Sequence, residues 1–444
     1  MIRTRFAPPL SGHLSVGNAR IALANFLHAR RHDGRIVLRL DDLDRERAQP
    51  ELIDAATTDL RWLGIECDEV IRQSERLPRY AAAIEHLKQR GRLYPCFESE
   101  EELRAKREYR RKRGEPGVYD RAMLKLTPAQ RESALASGKR PYWRFRLSDG
   151  DVAWGDMVLG RRTVKLSAVS DPVVIGADTT PLPALTAAVD DIAAGVTDLI
   201  RNESQVVATG VLLDIMAALG AESRPRLAHL PPVTDAGENR IARRVDARTL
   251  RSLRRDGVEP RALVAYIARL GTSQPIEPLS LERLVETFDV TRFADRPLRF
   301  EAATMLALNR SVLGETDFAT VAHRLPGGAT EAFWLAVRGN LDLLNEARGW
   351  WDVVAGTIVP PEIEERALLI TALALLPPEP WHGSVWQDWT DALASATGLH
   401  DCSLSDPLRL ALTGEDRGPE LHDLLPLIGR ARAANRLQVA AAGS

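Results

Sequence analysis

RFAPPLSGHLSVGNAR, residues 5–20, joins a short strand-like opening to a Pro8-Pro9 pair, two glycines and an apolar pattern of helical spacing. Gly12 and Gly17 lie just before and at the start of that helical pattern. A Gly-containing turn at a helix N-terminus offers free backbone N–H groups and the positive end of the helix dipole to an anion. The stretch predicts a strand, a nucleotide-binding turn and a helix, although plain strand–helix connections share the spacing.

The residues that follow alternate between strand and helix patterns. Arg35–Leu40 is a short apolar strand and Glu51–Leu63 has helical spacing. The pattern is irregular over residues 76–190, then a strand followed by a helix returns at Gly195–Leu219. Beyond about residue 245, helical spacing punctuated by Gly and Pro continues. The sequence therefore predicts a parallel α/β sheet, an inserted domain and an all-helical portion.

Composition bounds the class of protein. The 444 residues are 45% hydrophobic and 27% charged, enough for two to four globular domains. The net charge is −2, so binding of a nucleic acid would require local basic patches on the surface. Cys67, Cys96 and Cys402 lie far apart, which disfavours disulfides and a Cys-rich zinc site and predicts a cytoplasmic protein. The longest apolar run, Ala367–Pro377, predicts a buried helix and is too short for a membrane.

Residues 5–20 closely resemble the first signature of the glutamyl-tRNA synthetases, class I enzymes, which usually reads RFAPSPTGxLH(I/V)GNAR. The resemblance runs from end to end of the chain. It includes LRLDDLDRER (38–47), RQSER (72–76), SDPV (170–173), AAVDD (187–191) and PLRLALTGEDRGPELHDLLPLIG (407–429). Several independent matches in the right order identify the chain as a member of this family, similar to its discriminating bacterial type.

The resemblance implies an α/β Rossmann-like catalytic domain split by an inserted α+β domain, followed by all-α stem-contact and anticodon-binding domains. We expect the two catalytic halves at residues 1–75 and 190–235, and the acceptor-stem-binding insertion at 76–189. The helical stem-contact region is expected at 236–300 and the anticodon-binding domain at 301–444. This last domain argues against the truncated glutamyl-queuosine relatives, which lack it.

The resemblance also implies a two-step reaction. Glutamate attacks the α-phosphate of ATP to give glutamyl-adenylate, and the terminal ribose of tRNA then takes the glutamyl group. It implies ATP with magnesium, tRNA, glutamate or a related small molecule, no zinc, no membrane, and a cytoplasmic monomer. Such transfers depend on positioning and on donors aimed at developing charge. Three elements that supply donors in the family are altered in this chain.

The first altered element is Ser15, which stands where the family keeps the first His of its "HIGH" motif. We expect Gly12, Gly17 and Asn18 at the nucleotide and Ser15 at the catalytic position. A hydroxyl is shorter than an imidazole and needs a bridging water to reach a phosphate. The alternatives are that Ser15 only caps the helix, or that His13 substitutes for the missing ring.

The second altered element is NRIARR, residues 239–244, which aligns with the family's "KMSKS"-type loop, usually (K/G)LSKR. Ala242 replaces the Ser and Arg243 the Lys. Arginine keeps the charge but distributes it over a planar fork. Arg243 is the expected catalytic residue, with Arg240 and Arg244 at the nucleotide; the alternative is a solvated basic loop.

The third altered element is LIRNESQVVAT, residues 199–209, which matches the family's IRG(E/D)DHxxNT. Ser204, Gln205 and Ala208 replace the Asp, His and Asn of that motif. Asn202 replaces a Gly that lets the backbone approach the nucleotide. Its side chain is expected to crowd the nucleotide there.

The residues expected to bind the amino acid agree with the family's motifs better than the three altered elements do. Arg5, Asp41 and Arg201 match family positions that engage the carboxylates and the amino group of the substrate. Pro183 replaces a Tyr that lines the pocket, and Ala184 its polar neighbour. The alternative is that these charges are ion pairs inherited with the fold.

The expected RNA contacts lie in the segment 104–113, which carries seven basic residues. Arg107, Arg110 and Arg111 are the predicted tRNA-binding residues. Because acidic residues interleave with them, a solvated charged helix is the alternative. A second basic run, 240–255, falls in the predicted stem-contact region.

Three functional hypotheses follow. The chain is a working or impaired glutamate–tRNA ligase, a non-catalytic tRNA- or protein-binding paralogue, or an enzyme repurposed for another amino-acid-like or carboxylate substrate. Losing one preorganised donor costs roughly 2.7–4 kcal/mol, about 10²–10³ in rate. Three altered elements therefore favour a family member whose aminoacylation is impaired or lost.

Overall fold

Two compact units divide the chain. The first comprises residues 1–252 and 264–301, and the second residues 253–263 and 302–444. A computed structural model describes residues 1–44, 46–234, 249–381 and 383–442. The domain bounds predicted at residues 75, 189 and 235 lie within the first unit and stay predictions.

The strands found in the described residues all belong to the first unit. They are β1 (Arg3–Phe6), β2 (Arg35–Leu40), β3 (Glu69–Arg72), β4 (Leu93–Cys96), β5 (Tyr142–Phe145), β6 (Asp151–Asp156), β7 (Gly160–Lys165), β8 (Val173–Ile175), β9 (Asp198–Asn202), β10 (Arg226–Leu230), β11 (Val233–Thr234) and β12 (Leu298–Arg299). The short pair β11–β12 is a difference from the sequence-based expectation, which placed no strand beyond residue 245. Two residues are too few to give an alternating pattern.

The helices of the first unit are α1 (Val16–Arg31), α2 (Pro50–Trp62), α3 (Leu77–Gln89), α4 (Glu100–Lys112), α5 (Pro128–Ala136), α6 (Pro183–Ala193), α7 (Val206–Ala218) and α10 (Leu281–Thr287). The residues of α8 (Leu250–Asp256) and α9 (Pro260–Arg269) are shared between the two units. Both elements first predicted from periodicity are present: β2 at its predicted bounds, and α2 within one residue of them.

Two sheets lie side by side, one on each side of β1. Parallel pairing gives the order β1–β2–β3 on one side. On the other side, the amide of Thr197, just before β9, donates to the carbonyl of Arg3 (2.9 Å). Then β9 pairs with β10 and β10 with β6, all parallel. The chain thus leaves β1 toward β2 and returns at β9, which makes the carboxyl ends of β1 and β9 a topological switch point, the usual ligand site of such sheets.

A hairpin from the middle of the chain extends this sheet. β6 and β7 pair antiparallel, and the amide of Met157, in the turn between them, donates to the carbonyl of Leu227 (2.8 Å). Helix α7 packs on the hairpin so closely that a Cβ on Gly210 would lie 2.8 Å from the Cβ of Val164. The irregular pattern of residues 76–190 gave no sign of this pairing. The sheet β4–β5–β8 is separate and antiparallel.

The second unit is helical around an apolar core. Its further helices are α11 (Ala302–Glu315), α12 (Phe318–Val321), α13 (Glu331–Val337), α14 (Ala347–Ala355), α15 (Arg366–Ala374), α16 (Val385–Thr397), α17 (Cys402–Thr413), α18 (Leu421–Ile428) and α19 (Arg430–Ala442). Trp334 and Trp389 are fully buried in that core. Helix α15 confirms a helix in the longest apolar run, but only one face of it is buried, because Leu368, Leu369 and Ala372 pack in the core while Ile370 is 60% exposed. None of the helices described is long and apolar enough to cross a membrane.

Candidate active site

A cavity of about 790 Å³ opens where β1, β2 and β9 end. Its volume lies in the roughly 300–1,000 Å³ range of small-molecule sites. Charged, amide and apolar side chains share its wall, among them Arg5, Asn18, Arg39, Asp41, Pro183, Arg201 and Asn202. The carboxyl ends of these strands are where the sheet topology directs a ligand.

Asp191 on α6 organises the charges on one side of the cavity. Its carboxylate accepts two hydrogen bonds from Arg5 (3.0 and 2.9 Å) and one from Arg39 (3.0 Å). The Asp191 side chain is only 1% exposed. Burial alone would raise its pKa, but Arg5 and Arg39 hold the pKa below the usual value. The carboxylate is therefore charged and fully committed to the protein, as a buried charge must be.

Arg39 joins Asp191 to a carboxylate that remains accessible. Its guanidinium donates to both oxygens of Asp41 (2.7 and 3.1 Å). The side chain of Asp41 is 29% exposed, so its remaining lone pairs face the cavity. Arg39 precedes Asp41 by two residues, and side chains two apart on a strand share a face. Asp41 therefore offers a fixed, charged acceptor to a ligand.

Asp190, the neighbour of Asp191, stabilises the packing of α6 against the segment that begins α3. It accepts hydrogen bonds from Gln73 (2.9 Å) and from the hydroxyl of Tyr80 (2.9 Å), and it pairs with Arg76 (2.7 Å). These contacts tie α6 to the start of α3. Asp190 also lies 4.0 Å from Nε of Arg39, so the two adjacent carboxylates of the AAVDD segment share that arginine and otherwise have different partners.

Arg201, near the end of β9, is not paired with a described carboxylate in the way that Arg5 and Arg39 are paired with Asp191. Its Nη1 donates to the hydroxyl of Thr209 (2.7 Å), while its buried Nε has no hydrogen-bond partner. No carboxylate of the described residues forms an ion pair with it. Burial and the nearby guanidinium of Arg5 lower the pKa of Arg201 to about 9, against the attraction of Asp191. The group is thus charged at neutral pH and unneutralised.

The charges around the cavity do not cancel. Three guanidinium groups, Arg5, Arg39 and Arg201, face the two carboxylates Asp41 and Asp191. One positive charge is left over among these groups, and it lies on Arg201. A planar guanidinium without an ion-pair partner is suited to a carboxylate or a phosphate.

Ser15 is engaged in the start of α1. Its Oγ accepts from the amide of Asn18 (3.2 Å), and Asn18 Oδ1 accepts from the Ser15 amide (3.0 Å) and hydroxyl (2.8 Å). This is the N-cap geometry that the sequence offered as an alternative. Ser15 does not line the cavity, whereas Asn18 does. His13 lies beside Arg251 (3.2 Å) and is also absent from the cavity wall.

The cavity brings together all four residues predicted for the amino acid and two of those predicted for the nucleotide. Arg5, Asp41, Pro183 and Arg201 line it, with Asn18 and Asn202. Gly12 and Gly17 do not. Arg240, Arg243 and Arg244 lie outside the described residues. The roles of all these residues stay predictions.

Sequence reasoning missed Arg39 and the ion pairs of Asp191. The spacing of Arg39, near the end of β2, and Asp41, the first residue after it, was a usable signal. Side chains two apart in extended backbone lie on one face. The pairing of Arg5 with Asp191 spans 186 residues. Only the packing of α6 against the sheet creates it, and no local pattern reports it.

The basic residues predicted to bind RNA lie on α4, a helix without buried residues. Arg107 donates to the carbonyl of Leu103 (3.2 Å), and Arg110 to that of Val118 (3.0 Å). Arg110 also pairs with Glu115 (3.4 Å). Arg111 is exposed on the same helix. Contact of Arg107, Arg110 and Arg111 with tRNA stays a prediction.

Comparison with known proteins gives consistent results. Residues 1–307 match the family described as tRNA synthetases class I (E and Q), catalytic domain, and residues 362–441 match the anticodon binding domain. The chain is 56% identical to "Glutamate--tRNA ligase 2" of Granulibacter bethesdensis over 98% of both chains. It is 53% identical to the protein of that name from Gluconacetobacter diazotrophicus, over 99% of this chain and 100% of the other.

A solved structure shows the same fold. The glutamate tRNA ligase from Elizabethkingia meningosepticum, crystallised in complex with its amino acid, superposes with a TM-score of 0.83 over 99% of both chains at 22% identity. At that identity the likeness establishes the fold alone. It confirms the class I architecture predicted from the sequence.

We expect Asp191→Asn to lower the free energy of unfolding by about 3–5 kcal/mol, because it leaves Arg5 and Arg39 buried without their shared counter-charge. Asp149→Asn is the control. Asp149 pairs with Arg121 (2.8 Å) but its side chain is 79% exposed, so the free energy of unfolding of this variant should change little. Urea unfolding followed by circular dichroism measures both. Equal losses in the two variants would contradict this account of the site.

Proposed function

Since the chain belongs to the glutamate–tRNA ligase family of class I tRNA synthetases, we propose that it binds L-glutamate in this cavity and activates it with ATP much more slowly than the reaction of the family requires. The unneutralised guanidinium of Arg201 carries the first half of the proposal. The commitment of Ser15 to the helix cap supports the second half.

The charges of the cavity support the binding of L-glutamate. L-Glutamate brings two carboxylates and one ammonium group. A carboxylate of the ligand would meet the part of the Arg201 guanidinium that lines the cavity, and the ammonium group would meet the accessible oxygens of Asp41. The ligand would neutralise the excess charge of the cavity, which an uncharged molecule could not do. Pro183 and Ala184 would bound the cavity with apolar surface.

The hydrogen-bond donors near the cavity support the slow activation by ATP. In the family's first step, a glutamate carboxylate oxygen attacks the α-phosphorus, a P–O bond to that oxygen forms, and the bond to pyrophosphate breaks. Negative charge on the phosphate then needs donors aimed at it. The Ser15 hydroxyl already donates to Asn18. Asn202 and Gln205 line the cavity where a nucleotide would enter, and their side chains would crowd it.

Magnesium would enter with the phosphates of ATP. No three His, Cys, Asp or Glu side chains of the described residues are grouped so as to hold a metal ion, so the phosphates themselves would supply its anionic ligands. The match of residues 362–441 to an anticodon binding domain supports tRNA as the partner.

We expect Arg201→Met to weaken L-glutamate binding by about 2 kcal/mol or more, a factor of roughly 30, because a ligand carboxylate would lose its charged partner. The unfolding midpoint without ligand should be unchanged or higher, because an unneutralised buried charge is removed. Calorimetric titration and thermal unfolding measure the two effects. Arg161→Met, on exposed β7, is the control and should bind as the original protein does. Unchanged glutamate affinity in Arg201→Met would refute the proposed binding mode.

Glutamate-dependent ATP–pyrophosphate exchange, with and without total tRNA, tests the slow activation. We expect the natural chain to be at least about 100-fold slower than an ordinary ligase assayed beside it, since one lost donor costs about 10²–10³. Ser15→His combined with Asn202→Gly should raise the rate about tenfold or more. Ser11→His, in the same turn but exposed, should not. Exchange by the natural chain within a hundredfold of the ordinary enzyme would show that activation is intact. Absent exchange with retained tRNA binding would favour the non-catalytic paralogue.

A further inference from the structure

Behind the cavity wall, a line of buried polar groups ends at Arg201. The Asp156 carboxylate contacts Nδ1 of His229, the His229 Nε2 lies 2.9 Å from the Thr209 hydroxyl, and that hydroxyl oxygen accepts from Arg201 Nη1 (2.7 Å). Thr209 and His229 are both fully buried. Neither of them lines the cavity, so a ligand in the cavity would meet only Arg201.

We propose that Thr209, held by His229 and Asp156, is a positioning residue that fixes the direction in which Arg201 presents its guanidinium to the carboxylate of the ligand. This inference rests on the proposed function, because it concerns how Arg201 is held for that ligand. Arg201 needs such support because no described carboxylate pairs with it. An arginine side chain loses considerable rotamer entropy when it is fixed.

The sheet register places these groups together. On the parallel pair β9–β10, Arg201 is directly opposite His229, so the two side chains leave the sheet on the same face. On the neighbouring pair β10–β6, Leu227 is opposite Asp156. The amide of His229, two residues beyond Leu227, donates to Asp156 (3.0 Å). Three adjacent strands thus set the spacing of the line.

Asp156 is the fixed end of the line. Besides His229, it accepts from the amides of Val158 (3.1 Å) and Leu159 (3.0 Å) and from Nε1 of Trp154 (3.2 Å). Burial opposes the charged form, yet the hydrogen bonds from His229 and these amides lower the pKa of Asp156 to about 2. The carboxylate is therefore an acceptor only, and it cannot rotate without losing several bonds.

The Asp156 carboxylate sets the donor and the acceptor of each hydrogen bond in the line. Because Asp156 only accepts, Nδ1 of His229 carries a proton, and in the neutral ring Nε2 is then an acceptor. The Thr209 hydroxyl can donate to Nε2 and accept from Arg201 at the same time. Its proton has a competing acceptor, the carbonyl of Gln205 one helical turn back (3.0 Å). A hydroxyl serving only that carbonyl would be an ordinary helical contact.

Thr209→Val tests the inference, because it removes the hydroxyl and keeps the shape. We expect L-glutamate to bind roughly 10- to 100-fold more weakly, as for loss of a hydrogen bond to a charged group. ATP affinity should stay within about twofold and the unfolding midpoint close to that of the natural chain. Thr209→Ser, which keeps the hydroxyl, should restore glutamate binding. Thr209→Ala replaces Thr209→Val if the latter does not fold.

Thr57→Val is the matched control. Its hydroxyl donates to the carbonyl of Ile53, also one turn back (2.9 Å), and it lies outside the cavity. This variant should bind glutamate as the natural chain does. Equal weakening of glutamate and ATP binding by Thr209→Val would mean a structural role only and would overturn the inference.

The outcome separates this inference from the proposed function. If Arg201→Met abolishes glutamate binding while Thr209→Val leaves it within twofold, Arg201 binds the ligand without help and the inference fails alone. If Arg201→Met has no effect, both fail. Crystal structures of the two Thr209 variants without ligand give a further readout. We expect the Arg201 guanidinium to leave its place in Thr209→Val and to keep it in Thr209→Ser; an unmoved guanidinium in Thr209→Val would overturn the inference.

Discussion

The buried carboxylate of Asp191 is the interaction on which the site depends. It draws Arg5 from β1 and Arg39 from β2 toward helix α6, so three elements far apart in the chain meet at the switch point of the sheet. Because the carboxylate of Asp191 already pairs with these two arginines, the charge of Arg201 on β9 has no ion-pair partner among the described residues. The helix, the strands and the cavity are therefore coupled through one ion-pair network, and the cavity favours an anion.

The two halves of the family reaction depend on different parts of this architecture. In the proposed function, recognition of the amino acid needs charges at fixed positions, which Arg5, Asp41 and Arg201 would supply from the ends of strands. Activation by ATP needs donors from turns and helix starts. At Ser15 the donor is now part of a helix cap with Asn18. Substitution at the turns can thus weaken the chemistry while leaving the sheet and its pocket in place.

Several parts of this arrangement were open to prediction from the sequence, each for a physical reason. The strand Arg35–Leu40 and the helix α2 have strong local periodicity, so their bounds were nearly right. The resemblance to the family put Arg5, Asp41 and Arg201 in one pocket, and they do line one cavity. The partner of Arg5 was out of reach, because it is set by helix packing across 186 residues. So was the docking of the β6–β7 hairpin, which places Asp156 behind His229.

The most direct test of this account is a crystal structure of the protein with L-glutamate bound. We expect a carboxylate oxygen of the ligand at hydrogen-bond distance, about 2.7–3.2 Å, from a guanidinium nitrogen of Arg201 that faces the cavity. Asp191 should remain paired with Arg5 and Arg39. Glutamate bound away from Arg201, or Arg201 neutralised by a carboxylate of the protein itself, would contradict the account.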